Sequence, residues 1–493
     1  MYKIDWDKYL IDRRIRFSSG SAKDDKDKRN AFESDFGRVL FCSAFRRMHD
    51  KTQVIPLTTG DYIHTRLPHS MEVMNVAASL GANVCRSSEF IELYGESKAF
   101  EYERKISAIL RTAALVHDIG NPPFGHFGEK TIQNYFKSDN GKVYLKGMDN
   151  DYQLDFTQFD GNAQGLRILM KLQYLGDLTG LNLTFGTIGA FLKYPNIGPA
   201  KDSDDDYVGL HKHGVFASEK DILEKTIEAC GLGGNGKVKR HPLVFLVEAA
   251  DSICYSIMDI EDALSLNWVS FEGVREEVGK IIYKDWDNRE EKDKYPIDGY
   301  LKKDKVFDVD KLVGFTYDDA KTQKKNIVDF RVKVIQYLVN TATNVFCHHL
   351  EEIEKGTYSK ELLDDDVYKL SDALCKYARR FIFVKKEITS PELTGEAVIT
   401  GLLDIVLKYV FSNDKQYRKR IRSVVSDSCL RTCMHECKEY QRHPEYNPFE
   451  DIEEYDLKDL DPYYKLRLVV DWISGMTDNY ALEVYQRLSG SSL

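Results

Sequence analysis

Five segments of the chain have apolar residues spaced as on one face of an α-helix. Apolar side chains in these segments recur about every three or four positions, whereas the strict alternation typical of β-strands is scarce. The segments are Met71 to Leu80, Ile106 to His117, Leu243 to Leu264, Val328 to Leu350 and Ala397 to Phe411. The pattern predicts an all-α fold.

The composition is that of a globular protein with a large core. The chain has 493 residues, of which 42% are hydrophobic, and this length permits about two to four domains. Its 69 Lys and Arg against 79 Asp and Glu give a net charge of -10, which disfavours general binding to nucleic acid but leaves room for a local basic groove. No stretch reaches the about 20 apolar residues of a membrane helix, and the start of the chain is too polar for a signal sequence. We expect a cytoplasmic protein without membrane contact.

One charged segment divides the chain into three parts, and shorter runs rich in glycine, proline or acidic residues interrupt the first part. Such breakers are concentrated at Gly120 to Gly128, Asp202 to Asp206 and Gly231 to Gly236. The charged segment from Glu272 to Asp319 has little apolar periodicity, so we interpret it as a connecting or inserted region. The predicted parts are an N-terminal core at residues 1–270, a connecting region at 271–325 and a C-terminal helical region at 326–493.

Two ligand-type residues, His117 and Asp118, stand side by side where a predicted apolar helix ends. His69 falls on the first turn of a second predicted helix, and Asp251 interrupts the apolar face of a third, where a lone buried carboxylate is costly unless it is paired or bound to metal. A solvated helix end and a helix cap are the alternatives for the histidines. Together the four residues predict a nitrogen and oxygen site for a divalent metal. The donor set suits Mn²⁺, Fe²⁺, Ni²⁺ or Zn²⁺ and, less naturally, Mg²⁺, so it leaves the metal open. Our expectation is Mn²⁺ or Mg²⁺, with Ni²⁺, Fe²⁺ or Zn²⁺ as alternatives.

Two further polar patterns accompany this predicted metal site. Asp251, Tyr255 and Asp259 recur every four residues and therefore share one face of a helix. Such a stripe favours a bound ligand, and a solvent-facing side is the alternative. His126 and Glu129 lie one turn apart where a new helix begins. An imidazole oriented by a carboxylate is the usual arrangement of a general acid or base, and a capped helix start is the alternative.

Three other sequence patterns give weaker evidence for a binding site. Cys429, Cys433 and Cys437 would extend over about 12 Å of one helix, too far for a single zinc ion, and the nine scattered cysteines indicate reduced thiols. The P-loop-like run from Gly231 to Lys237 is followed by valine where Ser or Thr would bind Mg²⁺. The basic run from Tyr417 to Arg422 predicts a solvated helix face, with a nucleotide effector, inter-subunit contact or single-stranded DNA as the alternative.

The order of the motifs resembles the bacterial dGTP triphosphohydrolases of the HD-domain phosphohydrolase superfamily. The similarity extends from about residue 30 to the end, and is less clear between Phe271 and Ile388. The motifs are Arg66-x-x-His69, HDIGNPPFGHFGE from His117 to Glu129, FDGNAQGLRI from Phe159 to Ile168, LKYP from Leu192 to Pro195, VEAADSICYSIMDIEDA from Val247 to Ala263, and GMTDNYALEVYQRLSG near the C terminus.

The resemblance implies a role for each matching residue. Metal ligands would be His69, His117, Asp118 and Asp251, and the catalytic pair would be His126 and Glu129. Contacts to the triphosphate would come from Arg66, Asn162, Lys193 and Tyr194. Contacts to the nucleoside would come from Gln53 and Asp259 at the 3′-hydroxyl, Tyr255 beneath the sugar and Val54 at the base.

The resemblance also implies an activity and an assembly. The N-terminal part would be the HD-domain catalytic core, and the C-terminal region would complete the substrate pocket and make contacts between subunits. The expected reaction is hydrolysis of dGTP to deoxyguanosine and inorganic triphosphate, in a homo-oligomer that we expect to be a hexamer. The alternatives are a triphosphohydrolase of broad dNTP specificity and an HD-domain phosphohydrolase for another nucleotide.

Overall fold

The structure is a computed structural model. It describes residues 1–16, 27–57, 64–173, 179–200, 207–234, 237–287, 320–366, 368–437 and 456–491. In these ranges the regular structure is helical apart from isolated bridges and one short antiparallel hairpin, formed by β1 (Gly233–Gly234) and β2 (Lys237–Val238). The prediction of an all-α fold is therefore confirmed. The acidic run from Asp202 to Asp206 lies outside the described residues.

The α-helices are numbered here in chain order. Helices α1 to α12 span Ala31–Leu40, Ser43–Arg47, Arg66–Cys85, Ser88–Tyr94, Glu96–Val116, Gly125–Lys137, Asp139–Leu145, Asn150–Thr157, Gly161–Arg167, Phe185–Phe191, Lys220–Ala229 and Pro242–Ser265. Helices α13 to α21 span Phe271–Asp287, Ala320–His348, Leu350–Lys355, Leu370–Phe381, Lys386–Val410, Lys415–Arg422, Asp427–Glu436, Pro462–Ser474 and Asp478–Ser489. Short 3-10 turns lie at Trp6–Lys8, Met48–Asp50, Val208–Leu210, Ala217–Glu219, Leu362–Asp365 and Leu457–Asp459, and a π-helical turn at Ile168–Leu172. Among the described helices, none has the length and hydropathy needed to cross a membrane.

Helix α12 lies at the centre of the fold, with most of its side chains buried. It begins at Pro242, a residue suited to the first helical turn, and the side chain of His241 accepts a hydrogen bond from the N–H of Leu243. The helix packs against α3 and α5 from the N-terminal part and against α14 and α16 from the C-terminal part. Polar residues on α12 therefore lie between the two parts of the chain.

Helices α3 and α5 bring their ends to α12. Helix α3 begins at Arg66 and buries Val73, Val76 and Leu80, as the apolar spacing predicts. Helix α5 ends at Val116, and His117 is its C-cap. The polar residues at these helix ends are therefore held by an apolar core beneath them.

The predicted helix from Val328 to Leu350 is wrong at its C-terminal end. Helix α14 ends at His348, and α15 begins at Leu350. His349 between them makes a hydrogen bond from Nδ1 to Glu352, 3.0 Å long, at the start of the new helix. The apolar pattern continues across this break, so the spacing alone does not reveal it.

Part of the predicted connecting or inserted region from Glu272 to Asp319 is helical, and its role as such a region stays a prediction. Residues Phe271–Asp287 form α13, which packs against α16. Its apolar contacts come from a single helical stripe, Phe271, Val274, Val278 and Ile282, all of which are buried. Charged neighbours obscure this stripe in the sequence. Residues 288–319 lie outside the described ranges.

A buried ion network joins the C-terminal helices to α9. The guanidinium of Arg167 donates to Asp471 at 2.7 Å, to Glu219 at 2.8 Å and to Glu436 at 2.9 Å. Arg167 and Asp471 are both fully buried. Removing one partner of such a network typically costs about 3–5 kcal/mol, because it leaves an uncompensated charge. The network therefore fixes α9 against α20.

Candidate active site

Three of the four predicted metal ligands converge in the structure. One ligand atom from each of His69, His117 and Asp251 lies within 4.8 Å of the others. His69 Nε2 lies 3.0 Å from Asp251 Oδ1, and His117 Nε2 lies 3.4 Å from the same oxygen. The first turn of α3, the C-cap of α5 and the middle of α12 supply these side chains. The arrangement could hold a divalent metal ion.

The ring of His117 is oriented as a metal ligand. Its Nδ1 is 2.8 Å from the backbone carbonyl of Ala114, which fixes the proton on that nitrogen and leaves Nε2 directed at the other ligands. Nε2 is buried and has no hydrogen-bond partner among the residues that the structure describes. Burial alone would lower the pKa of His117, but the charges of Asp118 and Asp251 outweigh it and raise this pKa to about 9. An unpartnered ring nitrogen among carboxylates fits a bound cation.

Asp118 lies beside this group, and both of its carboxylate oxygens have other partners in the protein. Its Oδ1 is 3.6 Å from His117 Nε2 and accepts a 2.7 Å hydrogen bond from the side chain of Asn121. Its Oδ2 is paired with the guanidinium of Arg66. Burial opposes the charge on Asp118, but Arg66 and His117 outweigh it and keep the pKa of this carboxyl below its usual value. The predicted ligand role of Asp118 remains a prediction, and Arg66 holds this carboxylate at the edge of the group.

His126 and Glu129 form the predicted pair at the start of α6. Their side chains are joined by a 2.9 Å hydrogen bond between Nδ1 and Oε2, and Glu129 also accepts the N–H of Gly161 at 2.7 Å. Glu129 is buried, whereas the His126 side chain is 75% exposed. The charge of Glu129 and this hydrogen bond raise the pKa of His126. The dyad therefore presents an oriented, accessible imidazole that can transfer protons.

The ring of Tyr194 lies among three cationic groups. The distances to its centroid are 5.5 Å from Lys193 Nζ, 5.8 Å from Lys212 Nζ and 5.5 Å from the guanidinium carbon of Arg240. Lys193 is also paired with the buried carboxylate of Glu248. Lysine and arginine side chains gathered around one ring provide the positive charge that phosphate groups require.

Lys212 was not predicted as a site residue, although it joins the catalytic pair to this cationic cluster. Its Nζ is 3.0 Å from Asp160 Oδ2, and its charge helps to lower the pKa of Glu129. Asp160 also accepts a 2.8 Å hydrogen bond from the side chain of Asn162, one of the predicted phosphate contacts. No local pattern distinguishes Lys212 from a surface lysine. Only its position beside Asp160 identifies it.

The predicted nucleoside contacts include two unsatisfied acceptors. Gln53 Oε1 and Asp259 Oδ2 are buried, and no hydrogen-bond partner for either atom lies in the described part of the chain. Burial, together with the nearby charge of Asp262, raises the pKa of Asp259 well above its usual value. Tyr255 lies one turn earlier on α12 and is partly buried, as is Val54. A buried acceptor without a donor is costly, so both atoms fit a ligand hydroxyl.

The basic run from Tyr417 to Arg422 lies entirely within α18, and part of it has a structural role. Arg418 is buried and donates to both carboxylate oxygens of Asp456, at 2.5 and 2.7 Å. The guanidinium of Arg420 lies 5.9 Å from the ring centre of Tyr417. Arg418 is therefore unsuited to the alternative role of this run in an effector, inter-subunit or DNA contact, which would depend on its neighbours.

Comparison with known families identifies two regions. Residues 66–156, which contain Arg66, His69, the His117–Asp118 pair and the His126–Glu129 dyad, match the HD domain. Residues 438–487 match the phosphohydrolase-associated domain. The helical fold, the group of potential metal ligands and these matches define an HD-domain phosphohydrolase.

Relatives of known family match the chain over nearly its whole length. A deoxyguanosinetriphosphate triphosphohydrolase-like protein of Listeria monocytogenes is 33% identical over 510 residues, covering 99% of this chain and 100% of the relative. A protein of the same description from Pseudomonas aeruginosa is 30% identical, covering 99% of both chains. The deoxyguanosinetriphosphate triphosphohydrolase of Yersinia enterocolitica is 29% identical, again covering 99% of both. The chain belongs to the deoxyguanosinetriphosphate triphosphohydrolase family, and the resemblance inferred from its motifs is confirmed.

Proposed function

We propose that the protein is a metal-dependent triphosphohydrolase that converts dGTP and water to deoxyguanosine and inorganic triphosphate. The observation that supports this most is the order of groups along α12. Asp251 belongs to the potential metal group, Tyr255 follows one turn later, and Asp259 ends the stripe with an unpartnered buried oxygen. A nucleotide laid along this stripe has its α-phosphate at the metal, its sugar on the ring and its 3′-hydroxyl at the carboxyl group.

The chain supplies the remaining groups that such a reaction needs. His69, His117 and Asp251, with Asp118 beside them, would hold a divalent ion, which would supply electrophilic activation of the α-phosphate and of a water molecule. His126, oriented by Glu129, transfers a proton either from the attacking water or to the departing O5′. Cleavage between the α-phosphorus and O5′ then releases triphosphate in one piece.

The triphosphate is bound by positive charge from several elements. The ammonium groups of Lys193 and Lys212 both lie close to the ring of Tyr194, and Arg66 lies beside Asp118. Lys193 is paired with Glu248 and Lys212 with Asp160 in the structure. These carboxylates hold the ammonium groups in place, and phosphate oxygens are their additional partners. Asn162 is the neutral donor of the set.

The donor set restricts the metal only in part. Two imidazoles with one or two carboxylates form a mixed nitrogen and oxygen site, which suits Mn²⁺ and also accepts Ni²⁺, Fe²⁺ or Zn²⁺. Mg²⁺ prefers oxygen ligands, so its binding would rely on the carboxylates and phosphates. We propose Mn²⁺ or Mg²⁺ as the activating ion.

Fewer of the predicted contacts are made to the base than to the triphosphate. Val54 is the residue assigned to the base, and its apolar side chain has no hydrogen-bonding group with which to distinguish guanine. This observation favours a triphosphohydrolase of broader dNTP specificity as the second candidate. A sharp preference for dGTP would require polar contacts from other residues.

Product analysis tests the proposal. The Mn²⁺-loaded protein is incubated separately with each dNTP and with GTP, and nucleosides, nucleotides, triphosphate and pyrophosphate are separated. Deoxyguanosine and triphosphate in equal amounts support the proposed reaction. Formation of dGMP with pyrophosphate, or of dGDP with phosphate, contradicts it. Equal rates with all four dNTPs would select the broader alternative.

A further inference from the structure

A buried carboxylate of the C-terminal region contacts both sides of the candidate active site. Asp478 is the first residue of α21 and is buried. Its Oδ1 accepts the backbone N–H of Phe124 at 3.1 Å. Its Oδ2 accepts the N–H of Thr52 at 3.2 Å and also the hydroxyl of Thr52. One side chain therefore joins two segments that are far apart in the sequence.

The first of these segments leads into the catalytic pair. Phe124 has a φ of 62° and ψ of 20°, in the left-handed region that a bulky side chain rarely adopts. Its ring is held against Gly395 of α17, where a Cβ would lie 2.5 Å from the ring. Asp478 holds its backbone. The conformation of Phe124 determines where α6 starts, and hence where His126 is placed two residues later.

The second segment leads into the nucleoside contacts. Thr52 precedes Gln53 and Val54, and it pairs with Thr65 through an isolated bridge. The carbonyl of Lys51 accepts the N–H of Arg66 at 3.1 Å. This segment is thereby attached to the start of α3, which carries Arg66 and His69.

Lys51 connects the same regions a second time. Its ammonium group is buried and donates to the carbonyl of Asn121 at 2.5 Å and to the carbonyl of Ser474 at 2.9 Å. Asn121 in turn donates to Asp118. Both Ser474 and Asp478 lie within residues 438–487, the part that matches the phosphohydrolase-associated domain.

We propose that Asp478, supported by Lys51, is a positioning residue that sets the catalytic loop and the nucleoside-binding segment relative to each other. On this basis the phosphohydrolase-associated region contributes to the geometry of catalysis without touching the substrate. Misplacement of a reacting group by about 1 Å can reduce the rate about a hundredfold, so a contact at this junction has a large effect. The proposal rests on the proposed function for its kinetic test.

Asp366 provides a matched control. It is equally buried, and it accepts two backbone N–H groups, from Tyr368 and Leu370, and one hydroxyl, from Tyr337. The hydrogen bonds of Asp366 match those of Asp478 in number and kind. In the described ranges, the hydrogen-bond partners of Asp366 all lie outside the candidate site. Asp366→Asn therefore reports what the loss of such a carboxylate does to folding alone.

Kinetics of the Mn²⁺-loaded full chain with dGTP distinguish positioning from structural support. Asp478→Asn is expected to lower kcat about tenfold or more while metal content is retained. Thr52→Val removes only the hydroxyl contact and is expected to raise KM about threefold or more, with kcat little changed. If both variants match Asp366→Asn in kcat and KM, the proposal is wrong.

Hydrogen exchange tests the same contact without any substrate. In Asp478→Asn, peptides containing Thr52 and Phe124 should both exchange faster, whereas in Asp366→Asn neither should change. Unchanged exchange at both sites would overturn the proposal. Failure of the wild-type protein to hydrolyse any dNTP would instead refute the proposed function and leave the exchange result to decide the role of Asp478.

Discussion

His69 Nε2 lies 3.0 Å from Asp251 Oδ1, although 182 residues separate the two in the chain. The segment of His69 does not by itself identify a ligand, because a histidine at a helix start also fits a cap or a solvated position. The contact exists because α3 and α12 pack side by side. Through this contact, His69 and Asp251 belong to the same potential metal group as His117.

Substitution of His126 should separate catalysis from metal binding. His126 bonds to Glu129 and lies outside the group formed by His69, His117 and Asp251. His126→Ala should therefore lower turnover by about a hundredfold or more and retain metal, as expected for loss of a general acid or base. Elemental analysis and kinetics on the same sample measure this. His117→Ala and Asp118→Ala should instead lose metal, and a metal-free His126→Ala protein would show that the role is misassigned.

The pH profile should move when the carboxylate of Glu129 is neutralised. The charge of Glu129 raises the pKa of His126, so Glu129→Gln should lower it. The limb of the kcat/KM profile that reports His126 should shift to lower pH. An activity that falls as pH rises through this limb identifies His126 as a general acid, and one that increases identifies a general base. A profile that keeps its position would mean that His126 does not control the rate.

Tyr255 should exclude a ribose 2′-hydroxyl. A pocket that rejects an added hydroxyl by shape gives about a hundredfold discrimination, or roughly 1–3 kcal/mol. Tyr255→Ala should increase kcat/KM for GTP relative to dGTP. Asp259→Ala is the control, because both substrates carry a 3′-hydroxyl and both should lose activity together. An unchanged ratio in Tyr255→Ala would remove the ring from sugar selection.

In the absence of substrate, the buried carboxyl group of Asp259 should lower the free energy of unfolding at neutral pH. Burial and Asp262 raise its pKa in the folded state, whereas the unfolded chain ionises near the ordinary value of about 3.9. Between these pKa values the unfolded state binds fewer protons, so wild-type stability falls as pH rises. Asp259→Asn should raise the free energy of unfolding by about 1 kcal/mol or more at neutral pH.

Denaturant unfolding at neutral pH and at about pH 3 measures this effect, since the difference should nearly disappear where wild-type Asp259 is protonated in both states. Asp471→Asn is a control for which the opposite change in stability is expected. The charge of Arg167 outweighs burial and lowers the pKa of Asp471, so this variant should lose stability at neutral pH. A destabilised Asp259→Asn would contradict the prediction.

The protein should form a homo-oligomer, and we predict a hexamer. Closed symmetric assembly is common among soluble enzymes. Light scattering at micromolar concentration measures the mass, and a value equal to one chain would contradict the prediction. Repeating the measurement with dGTP, or with single-stranded DNA, would show whether such ligands act as effectors.

Much of the local structure follows from the sequence alone. Apolar spacing of about three or four residues locates the cores of α3, α5, α12 and α17, because a helix buries one face whatever it packs against. Local spacing also predicts the His126 and Glu129 pair, since residues three apart meet on one turn. Where charged neighbours obscure the apolar stripe, as in α13, the sequence pattern does not reveal the helix.

The tertiary structure determined which polar and charged groups contact each other. The pairing of Arg66 with Asp118, the approach of Lys212 to Asp160 and the contact of Asp478 with Phe124 all join segments that are distant in the chain. Hydrophobic periodicity specifies which face of a helix is buried but not the partner of a polar side chain. A hydrogen bond requires a position within a few tenths of an ångström. That precision comes only from the packing of the whole fold.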